Sequence, residues 1–270
     1  MESSPIEKIT DSENKNLRLI ESLESFKINL NSKESKNPTE IEKKHVYEVY
    51  DKIAIHFSHT RYKPWAKVEE FLQNLPDNSF VGDIGCGNGK YLKVNPKINI
   101  FGTDRSINLL KICRENIINS QLFSADSLKL PIRNNFFDAI ISIAVIHHFS
   151  NDLLRIQALK EIVRILKING KFLIYVWALE QQEKKFTEQD NFVPWHLQQK
   201  YENNVVVNTL SQGPKIAKDD QINCVVYQRY YHVFKKGELE NLISQIQNVV
   251  IEKSYFDHAN WCCIVKKVHN

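Results

Sequence analysis

From Thr39 onward the apolar positions fall at Val46, Val49, Tyr50, Ile53 and Phe57, the three-to-four spacing that lines one face of a helix, with Thr39 as a suitable N-cap. A second helix is predicted from Pro64, a residue suited to a first helical turn, through Val68, Phe71 and Leu72 until Pro76 breaks the pattern. Beyond Pro76 the period changes. Short apolar runs at Phe80–Ile84, Ile98–Thr103, Gln121–Ser124, Phe137–Ala144 and Lys171–Trp177 read as strands, separated by helices expected after Asn88, from Ser106 and from Asn151. Such alternation predicts an α/β domain, a mostly parallel sheet with helices on both faces. The helix from Asn151 carries Leu154, Ala158, Ile162, Ile165 and Leu166 on one side and is expected to stop at Asn169-Gly170.

Residues 181–222 lose this rhythm, mixing Gln, Lys, Asn and Asp around an isolated Phe192-Val193-Pro194-Trp195, and read as an irregular insertion. Val225–Phe234 resumes as a strand, Glu238–Ile246 as a helix, and Trp261–Val268 as a strand completing the sheet through an antiparallel pair. Residues 1–38, rich in Ser, Asn, Lys and Glu, are expected to form a disordered extension; Leu17, Ile20, Leu23 and Phe26 recur there at helical spacing over too short a run for a stable helix. The predicted organisation is therefore this extension followed by one domain over 39–270.

Composition narrows the picture only a little. A chain of 270 residues, 42% hydrophobic and 25% charged, has the makeup of a globular protein, and a net charge of +4 permits a polyanionic partner without announcing one. Cys86, Cys113, Cys224, Cys262 and Cys263 never fall in C-x-x-C spacing, so reduced thiols and no bound metal are expected. Glu7, Asp11, Glu13, Glu21 and Glu24 interrupt any signal or transit-peptide pattern, and no apolar run reaches membrane-span length. A cytoplasmic location, extending to the nucleus, and no membrane partner are expected.

The informative chemistry sits at the tip of the first strand, in Asp83-Ile84-Gly85-Cys86-Gly87-Asn88-Gly89. Its glycines run G-x-G-x-G, with Lys90 where a dinucleotide fingerprint would place its third glycine, and an acid precedes them. A pyrophosphate calls for bare amides at a helix start, whereas S-adenosylmethionine brings an ammonium and a sulfonium that reward a carboxylate such as Asp83. Asp104 ends the second strand at the distance where a carboxylate takes ribose hydroxyls, and Asp126 follows the third strand, placed either to accept from an adenine amine or to cap a helix. Gly85, Cys86, Gly87, Asn88, Arg105, Ser127 and Ala144 complete the expected cofactor set.

Five stretches narrow this further: His56-Phe57-Ser58-His59-Thr60-Arg61-Tyr62-Lys63-Pro64-Trp65, Ile84 through Leu92, Ser142-Ile143-Ala144-Val145-Ile146-His147-His148, Tyr175 through Gln181, and Arg229-Tyr230-Tyr231-His232. On them the chain resembles the eukaryotic tRNA wobble-uridine carboxymethyl methyltransferases, closely over 45–182 and loosely over 190–268. The resemblance implies a Rossmann-like class I methyltransferase fold with a seven-stranded sheet, S-adenosylmethionine as cofactor, and tRNA as substrate. It also implies esterification of the carboxylate of 5-carboxymethyluridine, and a small zinc-binding methyltransferase activator protein as partner.

An ionised carboxylate needs no general base, so positioning is expected to supply most of the rate. Arg61 is expected to orient substrate through its planar fork, with His148 and the adjacent His147 just past the fourth strand; one histidine is expected to face the core and the other the cleft. Trp177 and Tyr231 are candidates to stack an unpaired base, and Lys63, Lys90 and Lys93 to meet phosphates, against the plainer readings of core packing and solvated surface. The third strand, if it lies at a sheet edge, offers unpaired backbone groups to a second chain. Two alternatives keep the same fold: methylation of a small carboxylic acid or other metabolite, and a catalytically idle tRNA-binding relative.

Overall fold

The computed structural model describes residues 39–117, 121–181, 186–198, 201, 217–219 and 224–269; the expected extension 1–38 lies outside them. Thr39 caps the first turn: its hydroxyl accepts from the Ile41 amide at 3.1 Å, and Glu42 reaches back to the Thr39 amide at 2.7 Å. Glu42 tolerates complete burial because its other oxygen accepts from the Ser150 amide at 2.5 Å. This turn, α1 (Glu40–Glu42), passes through a π-helical stretch (Lys43–Tyr47) into α2 (Glu48–Thr60), and α3 (Ala66–Gln73) follows.

The strands are β1 (Phe80–Ile84), β2 (Asn99–Asp104), β3 (Gln121–Ser124), β4 (Phe137–Ile143), β5 (Leu166–Trp177), β6 (Asp190–Gln198), β7 (Ala217–Asp219), β8 (Cys224–His232), β9 (Val249–Asp257) and β10 (Asn260–Lys267). Three further helices are α4 (Ile107–Asn116), α5 (Asp152–Ile165) and α6 (Glu238–Ser244). The main sheet has the order β3-β2-β1-β4-β5-β10-β9, parallel from β3 to β5 and antiparallel where β10 meets β5 and β9. Its central strands are apolar on both sides because both faces are covered there. Ile84, Ile140, Phe172, Ile174 and Val176 join one core with α5 and α6, whereas Val81, Ala139, Ile141, Leu173 and Tyr175 alternate into a second core with α3.

Four expectations change. The stretch after Asn88 is a series of turns, Leu92 to Gly89 and Val94 to Tyr91, because too few residues separate Gly89 from Pro96 to nucleate a helix. The helix from Asn151 stops at Ile165 rather than at Asn169-Gly170. Leu166, fully buried, turns extended and pairs with Phe137, and Asn169 at φ 65° makes a bend inside β5. The strand at 224–232 does not join the main sheet. It forms a second sheet in the order β6-β8-β7, so two parts of the segment read as irregular are strands. Pro194 disguised it, yet β6 is an edge strand, where a missing amide is tolerated. Finally β9, which the alternation did not predict, provides the far edge of the main sheet.

The second sheet packs on α2, with Trp195, Leu197, Val225 and Tyr227 against Val49 and Ile53. It thereby stands over the C-terminal ends of the parallel strands, where open α/β sheets receive ligands. Among the described residues no helix is long and apolar enough to cross a membrane, and no cluster of three His, Cys, Asp or Glu is placed to hold a metal ion.

Candidate active site

The glycine turn after β1 is held from below. Gly85 and Cys86 both donate to the Thr103 carbonyl at 2.8 Å, and the Asp104 carboxylate accepts from the Gly87 amide at 2.8 Å and from the Ser106 amide at 2.8 Å. Asp104 thus ties the turn to the start of α4, whose cap Ser106 also donates to Asp51 of α2 at 2.6 Å. Gly85 sits at φ 80°, and a Cβ there would overlap the Val145 side chain. The Asn88 amide donates to the Ser58 and Arg61 carbonyls at the end of α2. At the opposite wall Ala144 holds φ 62°, a left-handed conformation costly for a residue with a Cβ, and its amide donates to the Tyr175 carbonyl at 3.0 Å.

These elements surround one concave pocket. Asp83, Gly85, Cys86, Gly87, Asn88, Asp104, Arg105, Asp126, Ser127 and Ala144 all line it. Asp83 is 1% exposed and its Oδ2 has no hydrogen-bond partner. Burial pushes its carboxyl up to about 8, with the Lys90 ammonium working against the rise and Asp104 adding to it. Burial likewise pushes Lys90 down to about 8; its ammonium lies 4.8 Å from the centroids of the Trp65 and Tyr91 rings, a pocket wall rather than a phosphate-facing surface. Asp126 is committed on both oxygens, to Arg105 at 2.6 Å and to the Leu128 amide at 2.9 Å, and Arg105 also covers the Tyr47 ring at 4.0 Å.

The other end of the pocket is a chain of hydrogen bonds with a fixed direction. His148 Nδ1 must donate to the Tyr230 carbonyl (2.8 Å), so Nε2 accepts from the Tyr50 hydroxyl (3.0 Å). Tyr50 must then accept from the Tyr231 hydroxyl (2.9 Å), which in turn accepts from Arg229 Nη1 (2.8 Å). Burial, supported by the Arg229 charge, pushes His148 down to about 3, which keeps it neutral. His147 is fully buried and lowered chiefly by burial; its Nδ1 accepts from the Trp177 amide at 3.2 Å, so Nε2 carries the hydrogen and has no partner. Neither histidine can act as a base near neutral pH.

The structure brings both histidines to the pocket, and they differ in burial: His147 is fully buried, whereas His148 is half-buried. Arg61 stands there too, but exposed, 5.8 Å from the Trp195 ring centroid. Trp177 and Tyr231 stack on each other with centroids 4.2 Å apart at 12°, so each has one face already occupied. Tyr231, 2% exposed, is held as a hydrogen-bond link rather than offered as a platform for a base. Lys63 does not line the pocket and lies near the exposed Tyr62. Arg229, Tyr50 and Trp65, to which the sequence reading assigns no site role, also line the pocket, and Arg229 and Tyr231, two apart in a strand, share a face by simple alternation.

Residues 82–174 match the methyltransferase domain family. Over 266 residues the chain is 42% identical to the tRNA (carboxymethyluridine(34)-5-O)-methyltransferase alkbh8 of Xenopus tropicalis, an alignment covering 84% of this chain and 41% of the frog protein. It is 46% identical over 233 residues to a tRNA (carboxymethyluridine(34)-5-O)-methyltransferase of Schizosaccharomyces pombe, covering 84% of this chain and 98% of that one. Among solved structures, a chain from the complex between the Haloferax volcanii Trm112 methyltransferase activator and a methyltransferase has a TM-score of 0.55 at 13% identity, covering 83% of this chain and 99% of its own. That likeness concerns the fold.

Proposed function

Because this chain belongs to the tRNA (carboxymethyluridine(34)-5-O)-methyltransferase family, we propose that it forms the methyl ester of 5-carboxymethyluridine at the tRNA wobble position, using S-adenosylmethionine. The observation that carries this reading is a pocket with an unsatisfied buried group at each end: the Asp83 carboxyl in the glycine turn and the Arg229 guanidinium on β8. Asp83, with its orphaned oxygen, suits the cofactor's ammonium; Asp104 suits the ribose hydroxyls; Arg105, Asp126 and Ser127 flank the adenine end. When bound, the cofactor supplies an electrophilic methyl group on a sulfonium.

The acceptor carboxylate is ionised at neutral pH, so no residue has to remove a proton, which agrees with two neutral histidines. What the chain contributes is alignment and exclusion of water. Opposite charges neutralise each other in this reaction, so a site that holds both partners in line and dry serves it better than one that solvates either strongly. Arg61 at the rim and Lys63 outside it are assigned to the tRNA backbone, where screening leaves each a modest share of affinity. Cells lacking the protein should accumulate carboxymethyluridine or its amide in tRNA and lose the methyl ester, read by mass spectrometry of nucleosides; unchanged ester would refute the reading.

The proposed partner is a small zinc-binding activator, with the edge strand β3 as its seat. Among the described residues nothing pairs with the outer side of β3, and Phe123 on it is 42% exposed. Phe123→Asp is expected to reduce co-purification of the activator at least tenfold, while Val250→Asp on the opposite edge, β9, leaves it intact. Equal recovery with both variants would remove β3 from the interface. Action in the cytoplasm, extending to the nucleus, goes with a tRNA substrate.

A further inference from the structure

We infer that Arg229 is the seat of the substrate's carboxylate, and that the pocket thereby selects an anionic acceptor over its uncharged amide and over the ester it produces. This rests on the function proposed above and specifies it. Arg229 is 5% exposed. Its guanidinium lies 4.6 Å from the Trp195 ring centroid and 5.2 Å from that of Tyr231, donates once to the Tyr231 hydroxyl, and leaves Nε unpartnered. Among the described residues no carboxylate pairs with it. Two other arginines differ: the buried Arg155 meets Asp152 at 2.5 Å and the half-buried Arg164 meets Glu161 at 2.7 Å.

A buried cation without an anion is costly, and ring faces compensate it only in part. The cost is relieved when a ligand brings the missing charge. The neighbouring His147 adds an unmatched Nε2 hydrogen, its ring 4.9 Å from that of Tyr231, so two unsatisfied donors flank one tyrosine on the pocket wall. Both fit an acceptor-only group. The fixed chain through Tyr231 and Tyr50 to His148 keeps the two phenols pointing their hydrogens away from Arg229, so neither can turn to donate against it. An amide would present its own N–H groups to these donors and no charge. The ester, neutral once formed, would leave the guanidinium unmatched again, which favours release of product.

The test is equilibrium binding of fluorescently labelled tRNA carrying the carboxymethyl, carbamoylmethyl or methoxycarbonylmethyl group to the full chain purified with its native partners and saturated with S-adenosylhomocysteine. Wild-type protein should bind the acid at least tenfold more tightly than either neutral form, a comparison that needs no variant. Arg229→Gln should bring the three within twofold of one another, mainly by weakening the acid, whereas Arg61→Gln should weaken all three alike. Adenosylmethionine binding by Arg229→Gln reports that it has folded. A smaller wild-type preference, or a preference that survives Arg229→Gln, overturns the inference. Acid-selective binding without ester formation would overturn the proposed function and leave this assignment standing; ester formation without acid preference would do the reverse.

Discussion

Asp83→Asn is expected to weaken S-adenosylmethionine binding at least a hundredfold and, in the same protein, to raise the melting temperature of the ligand-free chain at pH 8.5. The two effects share one cause. Burial lifts the Asp83 carboxyl from 3.8 to about 8, so between those values the folded protein holds a proton that the unfolded chain has lost. Stability contributed by this group is therefore greatest near pH 4, falls as pH rises, and is lowest above 8. A gap of that size corresponds to roughly 6 kcal/mol. Asp104, also raised by burial, acts in the same direction. Lys90, lowered to about 8, titrates differently between folded and unfolded chains only above that pH, so its effect does not mask the window. Asparagine removes the charged form and with it the slope.

The cationic ligand should reverse the trend. Holding Asp83 ionised below pH 8 requires release of its proton, which calorimetry in buffers of different ionisation enthalpy would detect. Thermal scans from pH 5 to 9, with and without ligand, complete the test. A wild-type protein whose ligand-free stability is flat between pH 5 and 8, or an Asp83→Asn variant that binds normally, would contradict the assignment of Asp83 to the ammonium.

Gly85→Ala is the second large effect, on the order of 3 kcal/mol of destabilisation together with loss of cofactor binding. A left-handed residue with a Cβ costs roughly 1–2 kcal/mol, and forcing that Cβ against Val145 adds about 1–3 kcal/mol of overpacking. The second contribution can be isolated. Val145→Ala removes the methyl groups in the way, so the double variant Gly85→Ala/Val145→Ala should recover part of the loss in denaturant titration, leaving the conformational part behind. No recovery would mean that the turn, rather than the contact, carries the whole cost.

Those two positions were legible in the chain before any fold was known, because a glycine-rich turn with a preceding acid is chemistry written in adjacent residues. The same holds for the helix starts. Thr39, Ser106 and Asn151 are capping side chains that bind amides two or three positions away, and all three do so here. What stayed hidden needed distant partners. Pro194 and the polar residues around it gave no sign that β6 would pair with β8, since strand pairing depends on a neighbour far along the chain. Arg61, read from the motif, lines the pocket at its exposed rim, while Arg229, more than 150 residues later, is buried in the same pocket.

Local order along the chain determined the parallel sheet, the glycine turn, and the three acids at the strand tips, because period, caps and tight turns are properties of a few consecutive residues. Tertiary structure alone decided that the second sheet closes over that turn. It also set the protons on Tyr50, Tyr231 and His148 in one direction, and left one oxygen of the Asp83 carboxyl and the Nε of the Arg229 guanidinium without partners. Such vacancies arise from what folding fails to bring together, and charge left unmatched in a low-dielectric pocket is a quantity no single stretch of sequence contains.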